Sequence, residues 1–303
     1  MTTCLRRAIE NQEFVITAEV APPKGVNPEH MLAMANLLKG KVHGVNVTDG
    51  SRAVMRMSSI AASVLLQQNG VEAIFQMACR DRNVIGLQAD LMGAYALGLR
   101  NLLALTGDPV KAGDHPQAKA VFDLESVRLL KLITKLNSGK DFNDKKLTDG
   151  KLDLWAGGAV DPQLKNWHSI ESRFAKKVES GAKFFQSQMI TDFVRFEEFM
   201  TRVASQYDVP ILAGIFLLKS AKNARFINRC VPGAQIPDGI IERLEHAEKP
   251  LDEGIKIAAE QVKTAKNLCH GVHLMAVKRE DLIPQILELA DISILQKIES
   301  ILV

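Results

Sequence analysis

The chain has 303 residues, of which 47% are hydrophobic and 24% charged, a globular composition with enough chain for a large core. Its 38 basic and 35 acidic residues leave a formal net charge of +3, too small an excess for a nucleic-acid-binding surface, although a mildly electropositive pocket for an anionic ligand remains open. The four cysteines are scattered and form no CxxC pair, which argues against a zinc site and for a reducing compartment. The sequence shows no apolar signal-peptide core and no apolar run long enough to span a membrane, so we expect a cytoplasmic protein.

Eight short apolar segments alternate with helical patterns along the chain. The segments predicted as strands cover residues 14–20, 44–47, 72–77, 102–105, 153–156, 183–189, 210–216 and 271–275. The predicted helices cover residues 28–38, 55–68, up to 97, 124–136, 170–179, up to 205, 221–229, 251–268 and 279–301. Uninterrupted apolar runs of this length suit strands that are covered on both faces, as in parallel sheets.

Two polar segments stand out between the predicted elements. Residues 111–120 form a polar loop with one glycine and one proline, and it has the character of a movable lid. Residues 137–150 are charged and flanked by glycines. We interpret them as a surface insertion rather than a linker, because the alternation of strands and helices resumes unchanged after them. Residues 1–303 are therefore expected to form a single domain.

Eight strand–helix units in about 300 residues predict an α/β protein of the (β/α)8 TIM barrel type. A doubly wound open sheet is the alternative. The first predicted strand is not followed by a GxGxxG motif, and this weakens a dinucleotide-binding interpretation of that kind.

Polar residues or glycines lie at or near the carboxyl end of each predicted strand. They are Glu19, Thr48, Asp49, Gln76, Asp108, Gly157, Gly158, Gln188, Lys219 and His273. In a barrel these positions converge on one mouth, where (β/α)8 enzymes bind their ligands. The barrel therefore predicts a pocket that combines carboxylate, amide and imidazole groups.

Each of these residues also has a purely structural interpretation. Glu19, inside an apolar strand, either forms a buried salt bridge or has a function. Asp108 could close an Asx turn before proline. Gln76 and Gln188 could satisfy buried backbone groups, and a histidine between apolar neighbours, as His273 is, more often belongs to the core.

Gly157 and Gly158 either form a turn or allow the backbone to approach a bulky flat ligand. The chain contains no serine nucleophile elbow, P-loop, kinase motif set or HExxH motif. Two acids without an obvious nucleophile favour proton transfer beside a cofactor over covalent hydrolysis.

Five motifs together resemble those of 5,10-methylenetetrahydrofolate reductases, and they span nearly the whole chain in the family's order. They are Glu19-x-x-Pro22-Pro23, Asn46-Val-Thr48, the stretch 102–109, the stretch 181–188 and the stretch 271–276. Residues 79–82 and 273–276 most resemble forms of the family from acetogenic and related bacteria.

The resemblance implies a (β/α)8 barrel with FAD at its carboxyl face. Glu19 matches the general acid, which protonates N10 of the folate so that the five-membered ring opens to a 5-iminium cation. Reduced flavin then delivers hydride from N5 to the methylene carbon. Asp108 matches an aspartate near the flavin and the pterin that stabilises the developing positive charge, and Gln188 matches a glutamine that contacts the folate.

The resemblance also implies the FAD contacts, and it implies no metal. The positions that match them are Thr48, Gln76, Asp108, Ala156, Gly157, Lys177 and His273. Lys177 is expected either to bind a phosphate or to be a solvated helix lysine, and the role of His273 is the least defined.

Two positions depart from the pattern of NADH-using members. Thr106 stands where they have arginine, and Ala221 stands where they have an aromatic residue after the seventh strand. Since some acetogen-type relatives receive electrons from a partner subunit, we expect either such a partner or direct use of NADH. Two further hypotheses stay open: a pterin-binding methyltransferase barrel that acts with a corrinoid protein, and a non-catalytic barrel subunit.

Overall fold

The computed structural model describes residues 2–231 and 233–293. It is a closed barrel of eight parallel strands in chain order, and the eighth strand pairs with the first. The predicted (β/α)8 barrel is confirmed, and closure excludes the open-sheet alternative. All eight carboxyl ends consequently lie at one mouth.

The strands alternate with helices throughout. The strands are β1 (Val15–Val20), β2 (Gly44–Val47), β3 (Ala73–Ala78), β4 (Asn101–Leu105), β5 (Trp155–Val160), β6 (Phe185–Met189), β7 (Ile211–Phe216) and β8 (Gly271–Met275). The helices are α1 (Cys4–Glu10), α2 (Glu29–Leu38), α3 (Ser59–Gln68), α4 (Val84–Ala96), α5 (Ser126–Asn137), α6 (Trp167–Glu179), α7 (Phe193–Arg202), α8 (Ala221–Cys230), α9 (Asp238–His246), α10 (Pro250–Lys266) and α11 (Ile283–Leu289).

Most predicted elements agree with these bounds to within a few residues. The last helix, predicted over residues 279–301, is observed only as α11 and a short 3₁₀ turn before it, and positions 294–301 lie outside the described residues. The insertion predicted over residues 137–150 is mostly exposed and lies in the connection between α5 and β5, residues 138–154. It joins the amino end of β5 and therefore lies on the face of the barrel opposite the mouth.

The helices α1 and α9 were not predicted. Leu5 and Ala8 of α1 pack among apolar residues of the barrel's lower interior, such as Phe184. Both oxygens of the Glu72 carboxylate accept hydrogen bonds from the first backbone N–H groups of α1, at 2.5 and 2.9 Å. Burial raises the pKa of Glu72 even though hydrogen-bond donors surround it. The helix thus closes the bottom of the barrel through tertiary contacts.

The fifth strand was predicted to end before Gly157 and Gly158, and that prediction was wrong. Both glycines lie inside β5, which continues to Val160. A Cβ atom at Gly157 would lie 2.4 Å from the ring of Phe184, and one at Gly158 would lie 3.0 Å from the ring of Phe185. The glycines therefore make room for two phenylalanine rings, not for a turn.

We expect Gly157→Ala to lower the free energy of unfolding by about 1–3 kcal/mol, because the added methyl group overpacks the barrel interior against Phe184. Urea unfolding of the purified chain measures the change. Gly93→Ala is the matched control. Gly93 lies in α4 with no atom within 4 Å of its would-be Cβ, so alanine there is expected to stabilise the chain by up to about 1 kcal/mol. Equal effects of the two substitutions would contradict the packing at Gly157.

Candidate active site at the mouth of the barrel

Glu19 lies near the carboxyl end of β1, with 21% of its side chain exposed. Its Oε2 atom is 3.8 Å from Nε2 of His273 on β8. The same oxygen accepts a hydrogen bond of 3.4 Å from the side-chain amide of Gln76 on β3. The structure thus brings together three residues that the sequence proposed for the mouth.

A layer of buried polar side chains lies next to this acid, and His273 is its only member that was among the predicted site residues. We call Thr17, Asn46, Gln186 and His273 the polar layer, and all four are buried. Asn46 and Gln186 exchange two amide hydrogen bonds of 2.7 and 3.0 Å across the barrel. Gln186 also donates to Thr17 Oγ1 at 3.1 Å, and Thr17 Oγ1 lies 3.0 Å from Nδ1 of His273. The chain of contacts ends at the ring that faces Glu19.

Thr48 lies directly after β2 and is buried, as expected for a residue at the mouth. Its hydroxyl has no hydrogen-bond partner within the part of the chain that the structure describes. A buried hydroxyl without a partner is uncommon, since pairing is the rule for such groups. This hydroxyl is therefore a candidate contact for a bound ligand.

Asp108 lies in the loop after β4, where its carboxylate accepts a hydrogen bond of 2.7 Å from the backbone N–H of Arg52. Arg52 and Ala53 both have left-handed backbone angles, with φ of 56° and 55°. Non-glycine residues in this region store strain and cluster at functional sites. Among residues 2–231 and 233–293, no hydrogen bond or ion pair connects Asp108 with Glu19. The two acids belong to separate groups of contacts.

The loop that contains residues 111–120 is fastened to two neighbouring loops. Asp114 forms an ion pair of 2.5 Å with Lys24 and accepts a hydrogen bond from the backbone N–H of Met55. The hydrogen bond from Lys24 is the main reason why the pKa of Asp114 is lowered. Gly113 lies so close to the carbonyl of Ala53 that a Cβ there would collide with it. These contacts join the loops after β1, β2 and β4 on one side of the mouth.

The stretch 79–82, which carried part of the resemblance, builds the rim. Arg80 is buried and donates to the carboxylate of Asp81 and to the carbonyl of Gly50. Arg82 binds the carboxylates of Asp49 and Asp90 at 2.7 and 2.8 Å. The two arginines hold the loop after β3 against the end of β2, and their contacts are structural.

Lys177 lies on α6 behind β5, where its Nζ atom donates to the carbonyl of Ala159 at 2.6 Å. Burial lowers its pKa to about 8, so it is not the freely solvated lysine that the sequence left open. The side chain of Ala156 packs in the apolar layer between barrel and helices, and its carbonyl accepts a hydrogen bond of 2.8 Å from the backbone N–H of Lys183. Gly157 meets Phe184, as described above.

Gln188 is exposed near the carboxyl end of β6, where the pairing with β7 shifts in register. Such an irregularity can change the direction of a side chain at the end of a strand. The exposed side chain of Gln188 is available to a ligand. The described residues hold no group of three or more His, Cys, Asp or Glu side chains suited to a metal ion. None of their helices has the length and apolar character needed to cross a membrane.

Comparison with known proteins places the chain in a family. A family model described as methylenetetrahydrofolate reductase matches residues 4–291. The chain belongs to the methylenetetrahydrofolate reductase family. It is similar to "Methylenetetrahydrofolate reductase 2" of Schizosaccharomyces pombe, with 28% identity over 80% of this chain and 39% of the relative. It is also similar to "Probable methylenetetrahydrofolate reductase (NADPH)" of Caenorhabditis elegans, with 25% identity over 94% of this chain and 43% of the relative.

The chain spans about two fifths of the length of these curated reductases. Among solved structures, it is similar to an uncharacterised Clostridium thermocellum protein that binds two copies of 5-methyl-5,6,7,8-tetrahydrofolic acid. The TM-score is 0.64 at 17% identity, and the match covers 94% of this chain and 97% of the other. A 2,3-dimethylmalate lyase matches with a TM-score of 0.51 at 13% identity, over 96% of this chain and 85% of the other. At these identities the likeness concerns the barrel fold.

The two positions that depart from the NADH-using pattern of the methylenetetrahydrofolate reductases have structural contacts here. The hydroxyl of Thr106 accepts a hydrogen bond of 3.1 Å from the backbone N–H of Ser126 at the start of α5. Ala221 begins α8 and is buried beside Ala224. Neither side chain offers a positive charge or an aromatic ring.

Proposed function

We propose that the chain catalyses the flavin-dependent reduction of 5,10-methylenetetrahydrofolate to 5-methyltetrahydrofolate, with Glu19 as the general acid. The observation that carries the proposal is the placement of Glu19, which lies at the mouth between His273 and Gln76 in a chain of this family. General acid catalysis needs a carboxyl group within reach of the substrate nitrogen, and the partial exposure of Glu19 allows that approach.

The residues of the chain have separate tasks in this reaction. Glu19 gives its proton to N10 of the folate, the bond between N10 and the methylene carbon breaks, and the positive charge moves to the 5-iminium group. Gln188, exposed beside the mouth, binds and orients the folate. Asp108 stabilises the iminium charge through its own negative charge, and its hydrogen bond to Arg52 holds it in place.

FAD is the proposed cofactor, and reduced flavin would supply the hydride that the methylene carbon receives. The buried hydroxyl of Thr48, which has no partner among the described residues, and the amide of Gln76 fit a polar ring system at the mouth. Lys177, a partly buried amine that donates to the carbonyl of Ala159, fits a phosphate group. His273 and Asp108 complete the proposed contacts, together with the backbone of β5 at Ala156 and Gly157.

We further propose that the chain is of the acetogen type and receives its electrons from a partner subunit. The contacts of Thr106 and Ala221 support this proposal, since neither residue is suited to hold a nicotinamide ligand. The flavin-loaded chain is assayed for folate reduction with NADH and with an artificial electron donor. We expect activity with the artificial donor only. Full activity with NADH alone contradicts the need for a partner, and inactivity with both donors contradicts the proposed function.

Lys177 makes flavin binding dependent on pH in a defined direction. Because burial lowers its pKa to about 8, its positive charge is lost as the pH rises above 8, and the attraction to a phosphate is lost with it. We expect the affinity for FAD to fall by up to about tenfold per pH unit above pH 8. Flavin fluorescence quenching between about pH 6.5 and pH 9.5 measures it.

Two variants of Lys177 serve as controls for this pH dependence. Lys177→Arg keeps its charge throughout the range, so its affinity is expected to stay level. Lys177→Met is expected to bind FAD weakly at every pH. An equal decline in the native chain and in Lys177→Met would show that another group is responsible.

A further inference from the structure

The polar layer contains a directional chain of hydrogen bonds. Asn46 and Gln186, which are 0% and 2% exposed, each donate to the amide oxygen of the other. This pairing uses one hydrogen of the Gln186 amide and leaves the second, which is donated to Thr17 Oγ1. Thr17 therefore accepts from Gln186, and its own hydroxyl hydrogen remains to be placed.

Two acceptors lie near the hydroxyl of Thr17. Nδ1 of His273 is 3.0 Å away, whereas the carbonyl oxygen of Val272 is 3.4 Å away. The contact to the ring nitrogen is the shorter one, and we assign the hydroxyl hydrogen to it. A nitrogen that accepts a hydrogen bond carries no proton, and the neutral ring must then carry its proton on Nε2.

We infer that Thr17, supported by Gln186 and Asn46, is a positioning residue that holds neutral His273 with its proton on Nε2, so that the ring N–H faces Glu19. Nε2 lies 3.8 Å from Oε2 of Glu19, a contact that can tighten when a ligand closes the mouth. The carboxyl group of Glu19 thus lies against the Nε2 edge of this ring.

The consequence for catalysis rests on the proposed function. When Glu19 protonates the substrate, its O–H bond breaks, an N–H bond forms at N10, and the negative charge stays on the carboxylate. The proton on Nε2 of His273 is not transferred, and it stabilises that negative charge as it develops. The other tautomer would present a lone pair to the same oxygen and repel it.

The ring ¹⁵N signals of histidine test the inference without any turnover. We expect His273, assigned through His273→Gln, to show a protonated Nε2 and a bare Nδ1 at neutral pH. His43 is an internal reference, because its Nδ1 accepts the backbone N–H of Ile16 at 2.9 Å and this fixes the same tautomer by an independent contact. A proton on Nδ1 of His273, or on both nitrogens, would overturn the inference, since Nδ1 would then donate a hydrogen bond to Thr17 Oγ1 instead of accepting one.

Substitutions of Thr17 test its positioning role. Thr17→Val keeps the shape and removes the hydroxyl, so the His273 signals are expected to become a mixture of tautomers while those of His43 stay unchanged. Thr17→Ser is expected to restore the native spectrum. Thr17→Ala tests the same point if Thr17→Val does not fold. A native His273 spectrum in Thr17→Val or Thr17→Ala would overturn the role of the hydroxyl.

Kinetics then separates this inference from the proposed function. In Thr17→Val, we expect kcat for folate reduction with an artificial donor to fall about tenfold with the flavin spectrum unchanged, and Thr17→Ser to recover it. An unchanged kcat in Thr17→Val would overturn the catalytic part of the inference. If the native chain does not reduce folate, the proposed function fails, and the histidine spectra still decide the tautomer.

Discussion

Glu19→Gln is expected to slow folate reduction by a factor of about 10² to 10⁴ and to leave flavin binding unchanged. Glutamine has nearly the same shape and can keep a contact with Gln76, but it has no acidic proton for N10 of the folate. The rate is measured in a single turnover, in which the pre-reduced flavin chain is mixed with 5,10-methylenetetrahydrofolate. Flavin affinity is measured separately by fluorescence quenching.

Glu29→Gln is the matched control for this substitution. Glu29 is exposed in the first turn of α2 and its carboxylate contacts the side chain of Asn27, so the same chemical change there removes a carboxyl group without altering a contact of the polar layer. Its rate is expected to equal that of the native chain. A native rate in Glu19→Gln would remove Glu19 from the mechanism, whereas loss of flavin in that variant would show that the residue holds the cofactor instead.

Glu72→Ala is expected to lower the free energy of unfolding by about 3 kcal/mol or more. The Glu72 carboxylate accepts the backbone N–H groups of Cys4 and Leu5 and the side-chain amide of Asn101, and alanine removes all three acceptor contacts. Hydrogen bonds to charged groups contribute about 1.5–3 kcal/mol each, and the sum is reduced because α1 can partly detach and become solvated. Urea unfolding measures the loss.

Hydrogen exchange of the α1 amides shows whether the loss comes from the detached helix. Glu10→Ala is the control on the same helix, where the Glu10 carboxylate forms an exposed ion pair with Arg6. Its expected cost is at most about 1 kcal/mol. If the two substitutions have equal cost, Glu72 does not anchor the helix.

The strands could be predicted because their apolar runs are short, continuous and followed by turn residues. β5 was the exception, since the pair Gly157 and Gly158 has the composition of a turn, and only the rings of Phe184 and Phe185 explain the glycines inside a strand. The short helix α1 could not be foreseen, because its stability depends on Glu72, which is 67 residues away from Leu5 in the sequence.

The site was predictable where a polar residue lies close to the carboxyl end of a strand, as at Glu19 and Gln76. The polar layer was not, because Asn46 and Gln186 lie in the middle of strands and have no meaning until the barrel closes and brings them together. The available signal was a polar residue at an inward-facing position of an otherwise apolar strand. The partner of Asp108 is a backbone N–H in a left-handed turn, which no side-chain pattern reveals.

An anaerobic half-reaction tests the central claim most directly. The purified chain is loaded with FAD, reduced with an artificial donor and mixed with 5,10-methylenetetrahydrofolate while the flavin absorbance is followed. The account predicts that the oxidised flavin spectrum returns and that one 5-methyltetrahydrofolate forms per flavin. A flavin that stays reduced in the presence of the folate, or a chain that binds no flavin at all, would contradict it.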